Sequence, residues 1–107
     1  MILLLVLFFE MNIHQVSYYG DKFNNRKTAN GEIFNKNEFT CAALKEYKFD
    51  TELKVTNLSN MKSVIVRVND RGNFKKYNRT LDLSEGAFKK ISHLKKGVLF
   101  CKIEKII

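Results

Sequence analysis

Proline and tryptophan are absent from this 107-residue chain, and glycine occurs only five times. Without proline, turns must be built from Gly, Asn and Asp. Cysteine and histidine are each limited to two residues. Their positions give no metal-ligand spacing, so neither a metal nor a cofactor is expected. Acidic residues are outnumbered, 11 Asp and Glu against 19 Lys and Arg, for a net charge of +8. That balance favours anionic partners but says nothing about fold. No basic run resembles a nucleic-acid arm. The lysines are single or paired (Lys75-Lys76, Lys89-Lys90, Lys95-Lys96), which reads as a solvated surface, and no nucleic-acid partner is expected.

A long apolar run is missing too. Ile2 to Phe9 is continuous but far short of the roughly 20 apolar residues of a membrane-spanning helix. It fits the apolar centre of a signal peptide, although no basic residue precedes it. Residues 1–14 are therefore expected to be an incomplete signal peptide and lead-in, residues 15–107 the folded domain, and the protein exported to the periplasm or cell envelope. Cys41 and Cys101 could pair in an oxidising compartment, or each could be a buried free thiol.

What is present suits a small β protein. Hydrophobic residues make up 45% of the chain and charged residues 28%, with nine Phe and four Tyr to fill one core. Gln15 to Tyr19 reads as a short strand, and 21–30 as a polar loop. Thr51 to Asn57 alternates with Leu53 and Val55 on one side. Ser63 to Asn69 is the clearest strand, with Val64, Val66 and Val68 on one face. Met61 stands in the preceding turn where glycine is preferred. Ser84 is placed to cap a helix, with Glu85 in its first turn. Ala87, Phe88, Ile91 and Leu94 recur at helical spacing over about three turns. Val98 to Ile103 is a final strand. Several short strands with one late helix predict a small barrel.

Five segments occur in order: Ser17-Tyr18-Tyr19-Gly20, Lys27-Thr28-Ala29-Asn30-Gly31-Glu32, Lys54-Val55-Thr56-Asn57-Leu58, Val66-Arg67-Val68-Asn69-Asp70-Arg71-Gly72 and Leu81-Asp82-Leu83-Ser84. Together they resemble the double-psi β-barrel domain of the rare lipoprotein A family, the septal-ring lytic transglycosylases. The resemblance implies a mainly β fold, a six-stranded double-psi β-barrel with one short α-helix, whose groove accepts peptidoglycan glycan strands. It implies cleavage between N-acetylmuramic acid and N-acetylglucosamine without water, leaving a 1,6-anhydro sugar. The alternative is a non-catalytic glycan-binding module. A monomer with no membrane span is expected.

Non-hydrolytic cleavage needs an acid for the leaving oxygen and a base for the sugar's own 6-hydroxyl. By resemblance, Asp70 and Glu32 take the catalytic positions, with Asp70 the principal acid/base. Tyr18, Tyr19, Asn30, Asn69 and Arg71 are the expected substrate contacts. Arg71 has a planar fork for a carboxylate or other anion, and the tyrosines could stack on sugar rings, at most one of them exposed to the groove. Asp82, Ser84 and Gly72 are assigned structural roles, Asp82 as a helix cap or a partner of Arg71 or Arg79. The sequence departs from the family pattern in three places. A histidine usual after Thr-Ala-Ala is replaced by Ala43 or Leu44, a proline after Asp-Arg-Gly by Asn73, and Leu-Pro-Phe-Gly-Thr reads Tyr47-Lys48-Phe49-Asp50-Thr51.

Overall fold

A computed structural model describes residues 12–72 and 79–106. The N-terminal apolar run, Asn73 and the Lys75-Lys76 pair lie outside the described residues. Six strands form: β1 (His14–Tyr18), β2 (Thr40–Ala43), β3 (Glu52–Asn57), β4 (Ser63–Arg71), β5 (Arg79–Leu83) and β6 (Leu99–Ile106). They close into one ring in the order β1-β5-β2-β4-β3-β6. The pairs β1/β5 and β2/β4 are parallel and the other four antiparallel. This is the six-stranded barrel that the sequence predicts.

Alternation decides which residues fill the barrel. On β4, Val64, Val66 and Val68 are buried, whereas Ile65 is 48% exposed. On β6, Leu99, Cys101 and Ile103 point in and Phe100 points out. Because side chains on a strand project to opposite faces, this period of two turns a linear pattern into an inside and an outside. The sequence reading ends the valine strand at Asn69. β4 instead continues through Asp70 and Arg71, paired with Ala42 and Ala43 of β2 across a bulge between Cys41 and Ala42. Asp70 is thereby held on a strand end.

The helix α1 (Glu85–Ile91) plugs the barrel with Ala87, Phe88 and Ile91, all fully buried. Ser84 caps it, its hydroxyl accepting from Ala87 N at 3.2 Å. The helix is shorter than its apolar spacing suggests. The Ile91 carbonyl accepts from both Asn57 Nδ2 (2.8 Å) and Asn60 Nδ2 (2.9 Å), and Ser92 is extended. Leu94 belongs to a separate 3-10 turn, Leu94–Lys96.

The possible disulfide is not formed. Cys41 on β2 and Cys101 on β6 are free, buried thiols on strands that are not neighbours in the ring. Burial pushes both thiols up to about 12.

Candidate active site

The connection from β1 to β2 folds over the end of β4, and one turn fixes its shape. Thr28 N donates to Glu32 O (2.7 Å) and Gly31 N to Thr28 O (3.0 Å). Gly31 has φ +91°, a conformation that residues with a Cβ rarely adopt. The turn brings Glu32 to Arg67, which grips it with a fork, Nη1 to Oε2 at 2.7 Å and Nη2 to Oε1 at 2.9 Å. Asn69 Nδ2 (3.2 Å) and Asn30 Nδ2 (3.1 Å) also donate to the carboxylate. These donors favour the charged form and hold the Glu32 carboxyl down to about 2. A group so committed holds an ionised clamp and is a poor source of protons.

The same turn fixes Asp70. Its Oδ1 accepts from Ala29 N (2.9 Å) and Arg71 N (2.8 Å), while Asn30 N donates to Asn69 O (3.3 Å). Among the described residues, Asp70 Oδ2 makes no hydrogen bond. Asp70 lines a cleft of about 560 Å³ together with Tyr18, Tyr19, Lys22, Phe23, Arg71 and Asp82.

Asp82 enters this cleft from β5, its side chain 18% exposed. Its Oδ1 is buried without a hydrogen bond, with Arg79 Nε at 3.7 Å. Burial raises its carboxyl above the ordinary range, and the Arg79 charge offsets only part of that effect. The cleft therefore presents two carboxyls in different settings, one fixed by backbone N–H donors and one desolvated. Such a contrast separates an acid from a base.

Glu32 does not line this cleft with Asp70, contrary to the pairing expected from sequence. Asn30 and Asn69, expected at the substrate, turn their amides to Glu32 instead. Arg71 and Gly72 do line the cleft, and Asp82, assigned a structural role, joins them. Both tyrosines line it as well, but their rings are engaged within the protein. Tyr18 packs on Phe88 at 4.7 Å between centroids, and Tyr19 stacks on Phe34 at 4.5 Å. Lys22 and Phe23 were missed because 21–30 reads as an undifferentiated polar loop, whereas a 3-10 turn at Asp21–Phe23 aims both at the cleft. Of the two residues that can stand at the place of the family histidine, Ala43 is fully buried and Leu44 half-buried, and neither carries a polar side-chain atom.

A closed six-stranded barrel with two parallel strand pairs, and a cleft lined by Asp70 and Asp82, defines the class, a double-psi β-barrel. Residues 14–103 match the family model described as "Lytic transglycolase", and the chain belongs to that family. It is 46% identical over 91 residues to the endolytic peptidoglycan transglycosylase RlpA of Neisseria meningitidis, covering 85% of this chain and 37% of that protein. The protein of the same name from Campylobacter jejuni is 48% identical over 90 residues, covering 84% and 32%. That from Rickettsia bellii is 51% identical over 85 residues, covering 79% and 37%. The chain thus spans about a third of the length of these relatives. Among solved structures, a Clavibacter michiganensis expansin in complex with cellohexaose superposes with TM-score 0.71 at 17% identity, covering 90% of this chain and 50% of that one. A Streptomyces papain inhibitor gives 0.65 at 22% identity, covering 84% and 90%. These two likenesses are of fold.

Proposed function

We propose that this chain is a peptidoglycan lytic transglycosylase, acting outside the cytoplasm on the bond between N-acetylmuramic acid and N-acetylglucosamine. Asp70 and Asp82 facing one cleft from different environments is the observation that carries this reading. Asp82, kept toward its protonated form by burial, gives its proton to the leaving glycosidic oxygen. The 6-hydroxyl of the muramic acid then attacks its own C1, and Asp70 takes the hydroxyl proton. No water enters the balance: the C1–O bond to the leaving sugar breaks, the C1–O6 bond forms, and a 1,6-anhydro end results. Arg71, with Lys22 beside it, supplies positive charge for the carboxylates of the wall polymer. Glu32 acts at one remove, through the turn whose Ala29 N–H holds Asp70.

The similarity to proteins named endolytic peptidoglycan transglycosylase supports this chemistry over a binding role alone. The test is digestion of purified peptidoglycan followed by mass spectrometry of the soluble products. Anhydro-ended fragments are expected. Reducing ends, or no soluble product at high protein concentration, would reject the assignment.

A further inference from the structure

Tyr19 is a polar residue of the cleft that the reaction above leaves unused. Its backbone is pinned, the N–H donating to Leu83 O at 3.1 Å. Its ring is packed, stacked on Phe34 at 27° and set edge-on to Phe23 with centroids 5.6 Å apart. Phe34 covers one face, so the ring serves as part of an aromatic cluster and offers little as a sugar platform.

The hydroxyl is differently placed. Tyr19 Oη is buried and has no hydrogen-bond partner. The Thr40 hydroxyl lies close enough to act on the phenol, yet it too is buried without a hydrogen bond. A buried hydroxyl left unpaired is unfavourable and calls for a reason. Asp70 and Asp82 both lie within electrostatic reach, and burial together with these carboxylates keeps the phenol protonated well above its ordinary value. It is therefore a donor at any physiological pH. No histidine stands on β2 to donate in its place.

From this geometry we infer that Tyr19 Oη is a hydrogen-bond donor to a glycan oxygen bound between Asp70 and Asp82. The inference rests on the reading above for the identity of the ligand as wall glycan. Tyr19→Phe removes the hydroxyl and keeps the ring. Both proteins, at full length, are compared for affinity toward peptidoglycan glycan strands, for release of anhydro ends, and for melting temperature.

The variant is expected to bind about 3- to 10-fold more weakly and to show kcat about 10- to 100-fold lower. Its melting temperature should be unchanged or higher, since an unpartnered hydroxyl contributes nothing to the free fold. A variant equal to an active wild type in affinity and kcat overturns the role of Tyr19 and leaves the transglycosylase reading intact. A melting temperature several degrees lower assigns the hydroxyl to the fold and likewise overturns it. If the wild type binds but does not cut, the affinity comparison decides. A wild type that neither binds nor cuts glycan overturns both.

Discussion

The Arg71 guanidinium sits over the Phe49 ring, its Cζ 4.1 Å from the ring centroid. The contact joins the last residue of β4 to the connection between β2 and β3, and aims a cation at the cleft that Asp70 and Asp82 line. A cation over an aromatic face is worth about 0.5–2 kcal/mol. Phe49→Leu is therefore expected to raise KM for peptidoglycan about 2- to 10-fold with little change in kcat, and Phe49→Tyr to restore it. Equal KM values in steady-state digestion would separate Phe49 from substrate positioning.

Asp82→Asn removes the proposed acid and should lower kcat by about 10²- to 10⁴-fold, leaving glycan retention in place. In the wild type, activity should fall as pH rises through the raised Asp82 value, because the working form is the protonated one. Asp70→Asn removes the proposed base and should lower kcat by about 10²- to 10⁴-fold across the pH range. A pH–rate profile of kcat/KM for the three proteins checks this, and a wild-type profile flat at its alkaline end would contradict it.

The clamp on Glu32 has a signature in stability. Its folded value of about 2 lies below the ordinary 4.5, so the stabilisation is complete above about 4.5 and drains as pH falls toward 2. The side chain is 39% exposed, and solvent screening limits the expected loss in Glu32→Gln to about 1–2 kcal/mol at neutral pH. Denaturant titrations should show a stability slope between those two pH values in the wild type and a flatter one in the variant. Activity should fall as well, through the loosened turn beneath Asp70.

Met61 has φ +62° in the turn before β4 and is 67% exposed. A left-handed conformation strains any residue with a Cβ, and a side chain this exposed has little packing to lose on truncation. Met61→Gly is expected to raise stability by about 0.5–1 kcal/mol, measured as a shift in the urea midpoint.

Both thiols should resist reagents in the native state. Cys41 and Cys101 are fully buried and their thiols stand at about 12, so the reactive thiolate is scarce at neutral pH. Ellman titration is expected to count both only after denaturation, and a reductant should leave the melting temperature unchanged.

Much of the barrel was legible because strand period and strand burial coincide. Val64, Val66 and Val68 announced their face in sequence, and Ser84 announced the helix start. The helix end was not legible, because it depends on Asn57 and Asn60, 34 and 31 residues from the carbonyl they cap. The site was legible in part. Asp70 could be placed next to the valine strand by local pattern, although the strand reads as ending at Asn69 and runs on to Arg71. The engagement of Glu32 by Arg67 was not legible, because the two residues lie 35 positions apart in sequence. The burial of the Asp82 carboxyl was likewise not legible, because it depends on elements distant in sequence. The glycine missing before Thr51 also finds its account. Asp50 adopts φ +68°, a conformation that Asp tolerates better than most residues, and its carboxylate pairs with Arg67 at 3.1 Å.

The unbroken ring of strands also constrains how a polymer is recognised. Each of the six strands has a hydrogen-bonded neighbour on both sides over part of its length, so among the described residues the ring has no edge strand for an added strand to extend. An extended chain laid across this molecule must be read by side chains and loop amides alone. Selectivity is then concentrated in the handful of residues around the cleft, where exchange of a single loop could retune the preferred saccharide while the scaffold beneath stays as it is.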